Sequence, residues 1–243
     1  MDYSFLQCGE GALTVHLGDG IDPAINRRVT ALQGAIGSAG LRGITDLIPA
    51  YADLTVCYDC TVISAKALQR QLRRLLDSLS VAGQDRRRGF QLPVCYGGDY
   101  GPDLDFVCHH SGLSAQEVIE LHSAPDYLIY MLGFLPGFAY LGGLDPRLHT
   151  PRLDSPRTCI PAGSVGIGGA QTGVYPLASP GGWQLLGRTP VSVFDRQRQE
   201  PILYRAGDLV HFVPISPAEY EKIARAVAAG TYTVQVEEVP VCD

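Results

Sequence analysis

The chain has 243 residues, of which 46% are hydrophobic and 18% charged, the composition of a globular protein rather than a disordered one. Its net charge of −6 disfavours nucleic acid as the main partner, because phosphate binding requires a basic surface. No run of about 18 apolar residues is present and the N-terminus lacks a basic segment followed by an apolar one, so we expect neither a membrane span nor a secretion signal.

The beginning of the chain has the pattern of a small α+β unit. Leu13, Val15 and Leu17 alternate with polar residues, as in a half-buried strand. Asp22 followed by Pro23 predicts the start of a helix, with the aspartate as cap and the proline at the first helical position.

Two more strands and a second helix follow in this first part. The strands are predicted at 43–49 and 52–58, and the helix begins near Ser64. The leucines that form the apolar stripe of this helix are Leu68, Leu72, Leu75, Leu76 and Leu79. The order β-α-β-β-α predicts a compact sheet with helices on one side.

A domain boundary is predicted in the segment 81–89, which combines Gly, Gln and Asp with three arginines and has no apolar periodicity. We interpret Arg86-Arg87-Arg88 as a solvated linker. The predicted domains are therefore a small α+β domain over 1–84 and a second domain over 85–243.

The second part of the chain is mainly β in pattern. Between 126 and 214, short β-branched or aromatic runs alternate with turns, which predicts a barrel or a sandwich. The flanking elements are predicted as a strand at 90–94, helices near 103–110, 114–122 and 216–230, and a closing strand at 232–239. Ser114, with Glu117 in the capping-box position, and Ser216, followed by Pro217, are the predicted caps of the last two helices.

The stretch from Tyr130 to Phe194 is dense in glycine and proline and carries few charges. Such shaped backbone often lines sites where a ligand approaches the main chain, although tight turns of an all-β barrel explain the same pattern equally well. The polar residues there that could contact a ligand are Arg152, Arg157, Gln171, Thr172, Tyr175, Trp183, Gln184 and Arg188.

The seven cysteines are odd in number and scattered, which predicts reduced thiols in a cytoplasmic protein. Cys57 and Cys60 have the spacing of metal or redox thiols. A structural zinc site needs four ligands, however, and no second cysteine pair or suitably spaced histidine pair accompanies them. Residues 54–58 also have the alternation of a strand, so we predict no metal site.

His122 and two arginines are candidates for chemistry. His122 ends a capped helix just before the Gly/Pro-rich stretch, where it could titrate near neutrality and handle a proton; the alternative is a helix-terminal histidine bonded to carbonyls. Arg152 and Arg157 each follow a proline and could hold a carboxylate or phosphate, or else pair with Asp145, Asp154 or another surface acid.

Several motifs are absent from the sequence. It has no phosphate-binding Gly-x-x-x-x-Gly-Lys loop, no Gly-x-Gly-x-x-Gly after a strand and no Gly-x-Ser-x-Gly elbow. Lysine occurs only as Lys66 and Lys222, both on predicted helices. If the protein handles ATP or an amide, we therefore expect a partner to supply much of the catalytic apparatus.

Ordered motifs that cover nearly the whole chain resemble one family. They are Cys95–Gly98, Tyr130–Phe138, Leu141–Leu144, Thr150–Arg152, Ser155–Arg157, Pro161–Val165, Gln171–Pro176, Pro180–Trp183, Gly187–Pro190, Gly207–Asp208 and Phe212–Pro214. Together they resemble the allophanate hydrolase subunit 1 family, which includes the B subunit of bacterial 5-oxoprolinase and the kinase inhibitor KipI.

The resemblance implies a fold, partners and an activity. The fold is an α+β N-terminal domain followed by a mainly β, cyclophilin-like barrel. The partners are the C subunit of 5-oxoprolinase, of the allophanate hydrolase subunit 2 family, and the A subunit, of the LamB/YcsF family. The three proteins together would use ATP to open 5-oxo-L-proline to L-glutamate. Whether this chain itself binds ATP stays open, and we expect it to be inactive alone.

The resemblance also indicates which residues should form the functional site. We expect the backbone N–H groups of a Gln171–Gly173 turn, together with Arg188, to stabilise an anion, and His122 to handle a proton. The residues expected to bind substrate are Phe134, Pro136, Arg152, Arg157, Gln171, Thr172, Gly173 and Trp183.

Two other functions remain open from the sequence. One is a KipI-like inhibitor of a histidine kinase, in which the barrel surface docks on the kinase without chemistry. The other is a component of urea or allophanate breakdown. The chain lacks a biotin-attachment domain and an amidase Ser-Ser-Lys apparatus, so it would form only one part of such a system.

Overall fold

A computed structural model of the protein describes residues 3–79 and 86–240. The chain divides into two compact units, Met1–Asp85 and Arg86–Asp243. The predicted boundary between residues 84 and 85 lies outside the described residues. Within the described part, no helix is both long and apolar enough to cross a bilayer.

The first unit is a four-stranded antiparallel sheet with two helices. The strand order is β1-β2-β4-β3. The elements are β1 (Ser4–Cys8), β2 (Ala12–His16), α1 (Pro23–Ala39), β3 (Ile44–Pro49), β4 (Asp53–Tyr58) and α2 (Ala65–Asp77). Buried leucines and valines of the two central strands pack with the apolar residues of both helices to form the core.

Local signals explain both helices of this unit. The Asp22 carboxylate accepts hydrogen bonds from the backbone N–H groups of Ala24 and Ile25, as a helix cap does. The Ser64 hydroxyl does the same for Ala67. The predicted elements are confirmed. β1 was not predicted, because it is a mostly exposed strand with little buried apolar alternation.

The second unit is built on a closed seven-stranded barrel. Around the barrel the order is β5-β12-β9-β10-β7-β6-β13, and β13 pairs with β5 again. The strands are β5 (Arg86–Tyr96), β6 (Asp126–Leu132), β7 (Ala139–Gly142), β9 (Ser164–Gly168), β10 (Gln171–Val174), β12 (Gln184–Arg188) and β13 (Leu209–Pro214). The pair β13–β5 is parallel, and the others are antiparallel.

The second unit also contains two short strands, a strand that extends the sheet, and helices. β8 (Arg157–Ile160) pairs with β11 (Ser179–Gly181), and β14 (Val236–Pro240) extends the sheet along β5. The helices are α3 (Leu104–Ser111), α4 (Ala115–Ser123), a 3₁₀ turn (Pro146–Leu148) and α5 (Pro217–Ala228). The caps predicted at Ser114 and Ser216 are confirmed, and each forms a capping box. The predicted α+β unit followed by a mainly β barrel is thus confirmed.

The run Arg86-Arg87-Arg88 is not a linker. These residues begin β5 and pair with β14 on one side. Arg88 also forms a two-point ion pair with the buried Asp208, with contacts of 2.6 and 3.1 Å. The arginines therefore belong to the second unit, and ladder hydrogen bonds and ion pairing hold them in a strand.

Candidate functional site

The connection between β6 and β7 is a tight loop formed by Gly133–Phe138. Three short-range backbone hydrogen bonds close the loop, and the Tyr204 hydroxyl donates to the Gly137 carbonyl oxygen at 2.9 Å. Phe134 adopts a left-handed backbone conformation with φ of 60° and is 65% exposed. Bulky residues rarely occupy this region, so the loop holds Phe134 under strain at the surface.

An aromatic cluster lies beside this loop, with Phe138 at its centre. The Phe138 ring makes edge-to-face contacts with four others, at centroid distances of 5.2 to 5.6 Å. These rings belong to Phe134, Tyr140, Tyr175 and Trp183. Such perpendicular packing fixes each ring against its neighbours, which gives the cluster a rigid shape.

A small cavity of about 140 Å³ opens between these rings. We call it the aromatic pocket. Its lining residues are Phe134, Phe138, Tyr140, Arg152, Tyr175, Gly181, Gly182 and Trp183. The glycine at 181 is required by close approach, since a β-carbon there would lie 2.6 Å from the Tyr175 hydroxyl oxygen. The pocket is thus an apolar, flat-walled space with one positive charge beside it.

That charge belongs to Arg152, whose backbone is tied to the pocket wall on both sides. The buried Gln184 side chain donates to the Pro151 carbonyl oxygen at 3.1 Å, and the Leu153 N–H donates to the Gly182 carbonyl oxygen at 2.7 Å. Within the described part of the chain, the exposed Arg152 guanidinium has no hydrogen bond or ion pair to another residue. Its donors are available to a ligand.

Burial raises the pKa of the Tyr175 hydroxyl. A hydrogen bond from the Trp183 backbone and the positive charges of Arg152 and Arg157 oppose this rise in pKa. Tyr175 is therefore neutral at physiological pH, and both arginines lie close enough to influence the pocket electrostatically.

Arg157 has a different position from Arg152. Its guanidinium forms an ion pair of 2.7 Å with Asp103 and donates to the Trp183 carbonyl oxygen at 3.3 Å. Asp103 also accepts a hydrogen bond from the Leu185 N–H at 2.7 Å. Arg157 is thus paired with an acid, as one of the two sequence interpretations expected. Its hydrogen bond to the Trp183 carbonyl oxygen connects this ion pair to the backbone of a pocket residue.

His122 lies in the core of the barrel with no exposed surface. The Thr172 hydroxyl donates its single proton to the Gly166 carbonyl oxygen at 3.0 Å, so it accepts a hydrogen bond from His122 Nε2–H at 2.7 Å. Nδ1 therefore accepts a hydrogen bond from the Tyr96 hydroxyl, with 2.8 Å between the oxygen and Nδ1. Both ring nitrogens are therefore used by internal partners.

Burial lowers the pKa of His122 to about 3. The ring also stacks on Phe212, with centroids 4.9 Å apart. A neutral, buried imidazole with both nitrogens bonded joins α4 to the barrel strands. The geometry gives no support to the proton-handling role that we expected for His122, because the ring is fully buried and both of its nitrogens are bonded to internal partners.

The segment Gln171–Gly173 forms part of β10 and not a turn. It pairs with β9 through the register Gln171–Gly168, Thr172–Ile167 and Gly173–Gly166. Thr172 and Gly173 are buried. The expected anion-binding turn is therefore replaced by a strand whose backbone lies within the sheet.

Arg188 and Pro136 do not line the aromatic pocket. Arg188 is at the far end of β12 from Trp183, roughly 16 Å along the strand, and donates to the Ala162 carbonyl oxygen at 2.9 Å. Pro136 lines a second cavity of about 330 Å³, which shares Phe134 with the aromatic pocket.

The expected binding residues thus divide among several places. Phe134, Arg152 and Trp183 lie together at the aromatic pocket, and Gly173 packs directly behind the Trp183 ring. The expected substrate-binding set omitted three further rings of the pocket, although each lies within or directly beside one of the family motifs: Phe138, Tyr140 and Tyr175. Of these, Tyr175 was named only among the polar residues that could contact a ligand. Their shared aromatic character is the signal that could have selected them.

The described residues contain no group of side chains suited to a metal ion. In residues 3–79 and 86–240, no group of three or more His, Cys, Asp or Glu side chains lies together as a metal ion would need. Cys57 and Cys60 are both free thiols, and Cys57 lies in β4, as its strand-like neighbours predicted.

The chain matches a known family over most of its length. The model described as "Carboxyltransferase domain, subdomain C and D" matches residues 3–204. The chain belongs to this family. Its relatives include proteins named as the B subunit of 5-oxoprolinase, so the predicted relationship is confirmed.

Two such relatives align over almost their full length. The protein from Bacillus subtilis (strain 168) is 42% identical over 228 residues, which cover 90% of this chain and 95% of the relative. The protein from Escherichia coli O157:H7 is 46% identical over 207 residues, covering 85% and 93% respectively. Both carry the name of the 5-oxoprolinase B subunit.

Solved structures share the fold. The crystal structure of TTHA0988 is 40% identical with a TM-score of 0.75; the match covers 84% of this chain but only 40% of that longer one. The Kluyveromyces lactis urea carboxylase matches with a TM-score of 0.81 over 98% of this chain and 24% of its own. At 23% identity, this second likeness shows the fold alone.

Proposed function

We propose that this chain is the B subunit of an ATP-dependent 5-oxoprolinase and acts in the cytoplasm with the A and C subunits. The observation that carries the proposal is the 42% and 46% identity to two proteins of that name, each aligned over more than nine tenths of its length. The alignment includes the strands and loops that form the aromatic pocket. The free thiols of the described residues suit a reducing compartment.

The aromatic pocket and the sequence motifs of the chain do not fit ATP. The aromatic pocket has a volume of about 140 Å³, whereas pockets for larger ligands range from roughly 300 to 1,000 Å³. The sequence has no phosphate-binding loop, and its two lysines, Lys66 and Lys222, lie on the surface helices α2 and α5. We therefore assign nucleotide binding to the other two proteins of the complex, and expect the chain alone to be inactive.

Reconstitution tests the proposal. The purified A and C subunits from the same organism are mixed with 5-oxo-L-proline and ATP, with and without this chain, and glutamate is measured. We expect glutamate from the three-component mixture and none from the chain alone or from the other two proteins without it. Full activity of the mixture that lacks this chain would refute the proposal.

A further inference from the structure

We propose that the aromatic pocket binds the lactam ring of 5-oxo-L-proline and that Arg152 pairs with the carboxylate of the substrate. The identity of the ligand rests on the proposed function, whereas the place and manner of binding rest on the geometry of the pocket. More generally, the pocket would take a small flat ring that carries one anionic group.

The size of the pocket matches such a ring. An apolar protein cavity of about 150 Å³ holds a benzene molecule. The aromatic pocket measures about 140 Å³, which accommodates a five-membered lactam and excludes a nucleotide base with its sugar and phosphates. The ring planes of Trp183 and Phe138 meet at 72°, and those of Trp183 and Tyr175 at 80°. The pocket walls thus present both the faces and the edges of aromatic rings to a planar amide.

The charge of the pocket matches a carboxylate. The guanidinium of Arg152 presents forked donors that suit the two oxygens of a carboxylate, and it has no partner of its own in the described structure. Hydrogen bonds from Gln184 to Pro151 and from Leu153 to Gly182 hold the backbone on both sides of Arg152. Arg157 cannot take the same role, because Asp103 already neutralises it.

The mouth of the pocket carries the strained Phe134. Its left-handed backbone places a largely exposed ring in edge contact with Phe138, at a centroid distance of 5.4 Å. Strained conformations of bulky residues persist where the surrounding structure imposes them, and they concentrate at ligand sites. The Phe134 ring forms one wall of the opening through which the lactam enters.

Fluorescence offers a direct test, because Trp183 is the only tryptophan in the chain and lines the pocket. The purified chain is titrated with 5-oxo-L-proline, and we expect a saturable change in emission. Arg152→Gln removes charge-assisted hydrogen bonds, so it should weaken binding by roughly 10- to 100-fold. Arg152→Lys keeps the charge and should bind with intermediate affinity. Arg196→Gln, at an exposed position, is the charge-matched control and should leave the curve unchanged.

A second ligand separates ring recognition from charge recognition. 2-Pyrrolidone has the same lactam ring without the carboxylate. We expect it to bind the wild-type chain more weakly than 5-oxo-L-proline, with an affinity that Arg152→Gln does not change. The absence of a saturable change with 5-oxo-L-proline, or an equal loss of affinity for both ligands in Arg152→Gln, would overturn the proposal.

Kinetics of the three-protein mixture distinguish failure of the inference from failure of the proposed function. We expect Arg152→Gln to raise KM for 5-oxo-L-proline by roughly 10- to 100-fold and to leave kcat nearly unchanged. An active mixture whose KM is insensitive to this substitution overturns the pocket assignment and leaves the function standing. Arg152-dependent binding by the chain, combined with an inactive mixture, leaves the pocket assignment standing and rejects the function.

Discussion

The buried His122 makes stability depend on pH in a defined direction. Its pKa is about 3 in the folded protein and about 6.5 in the unfolded chain. As the pH falls below 6.5, the unfolded chain gains a proton that the folded protein does not bind, so folding loses stability. At pH 5 the pH lies about 1.5 units below the pKa of His122 in the unfolded chain. At roughly 1.36 kcal/mol per unit, this lowers the free energy of unfolding by about 2 kcal/mol. Above pH 6.5 this penalty is absent.

Urea unfolding of the wild type and His122→Gln at pH 7.5 and pH 5 measures this penalty. Trp183 lies in the barrel unit, so its fluorescence follows the unit that contains His122. The wild type should lose about 2 kcal/mol more than the variant between the two pH values, because glutamine does not titrate. NMR of the wild-type ring should show a neutral Nε2–H tautomer at pH 5. Equal pH dependence in both proteins, or a ring pKa near 6.5, would refute the reasoning.

Two further substitutions test the walls of the pocket. Gly181→Ala should destabilise the barrel unit by roughly 1 to 3 kcal/mol in urea unfolding, because the new β-carbon would lie 2.6 Å from the Tyr175 hydroxyl oxygen. Gly182→Ala is the control. Its β-carbon would have no neighbour closer than 3.6 Å, so the free energy of unfolding should change little. Asp103→Asn should lower the free energy of unfolding by about 2 kcal/mol, because it leaves the partly buried Arg157 guanidinium without its counter-charge. Glu200→Gln, the control, breaks the exposed pair with Arg205 and should lower it by less than about 0.5 kcal/mol. Equal effects within either pair would contradict the packing or pairing described for that wall.

Features with a local cause could be predicted well from the sequence. The caps at Asp22, Ser64, Ser114 and Ser216 depend on residues within three or four positions, and all four begin helices in the structure. The alternating strands of the first sheet followed from their half-buried pattern. The exposed β1 has no such pattern, because its place in the sheet depends on pairing with β2.

Features with a distant cause could not be predicted in the same way. Arg88 resembles a linker residue in the sequence, because its ion-pair partner Asp208 is 120 positions away. His122 resembles a helix-terminal histidine, but its partners Tyr96 and Thr172 come from distant strands. The Gly173 region resembles a turn because glycine is common in turns, yet here glycine makes room for the Trp183 ring.

The candidate site was predicted in part. Phe134, Arg152 and Trp183 were among the expected binding residues, and they converge at the aromatic pocket. Phe138 and Tyr175 complete the pocket only because the barrel brings β7 close to the segment that follows β10. Such convergence of aromatic side chains depends on strand order, which spacing along one chain does not determine.

A crystal structure of the chain with 5-oxo-L-proline bound would test the central claim most directly. We expect electron density for the lactam between the rings of Phe134, Tyr175 and Trp183, with its carboxylate within hydrogen-bonding distance of the Arg152 guanidinium. Density for the ligand at another place, with the aromatic pocket empty, would contradict the claim.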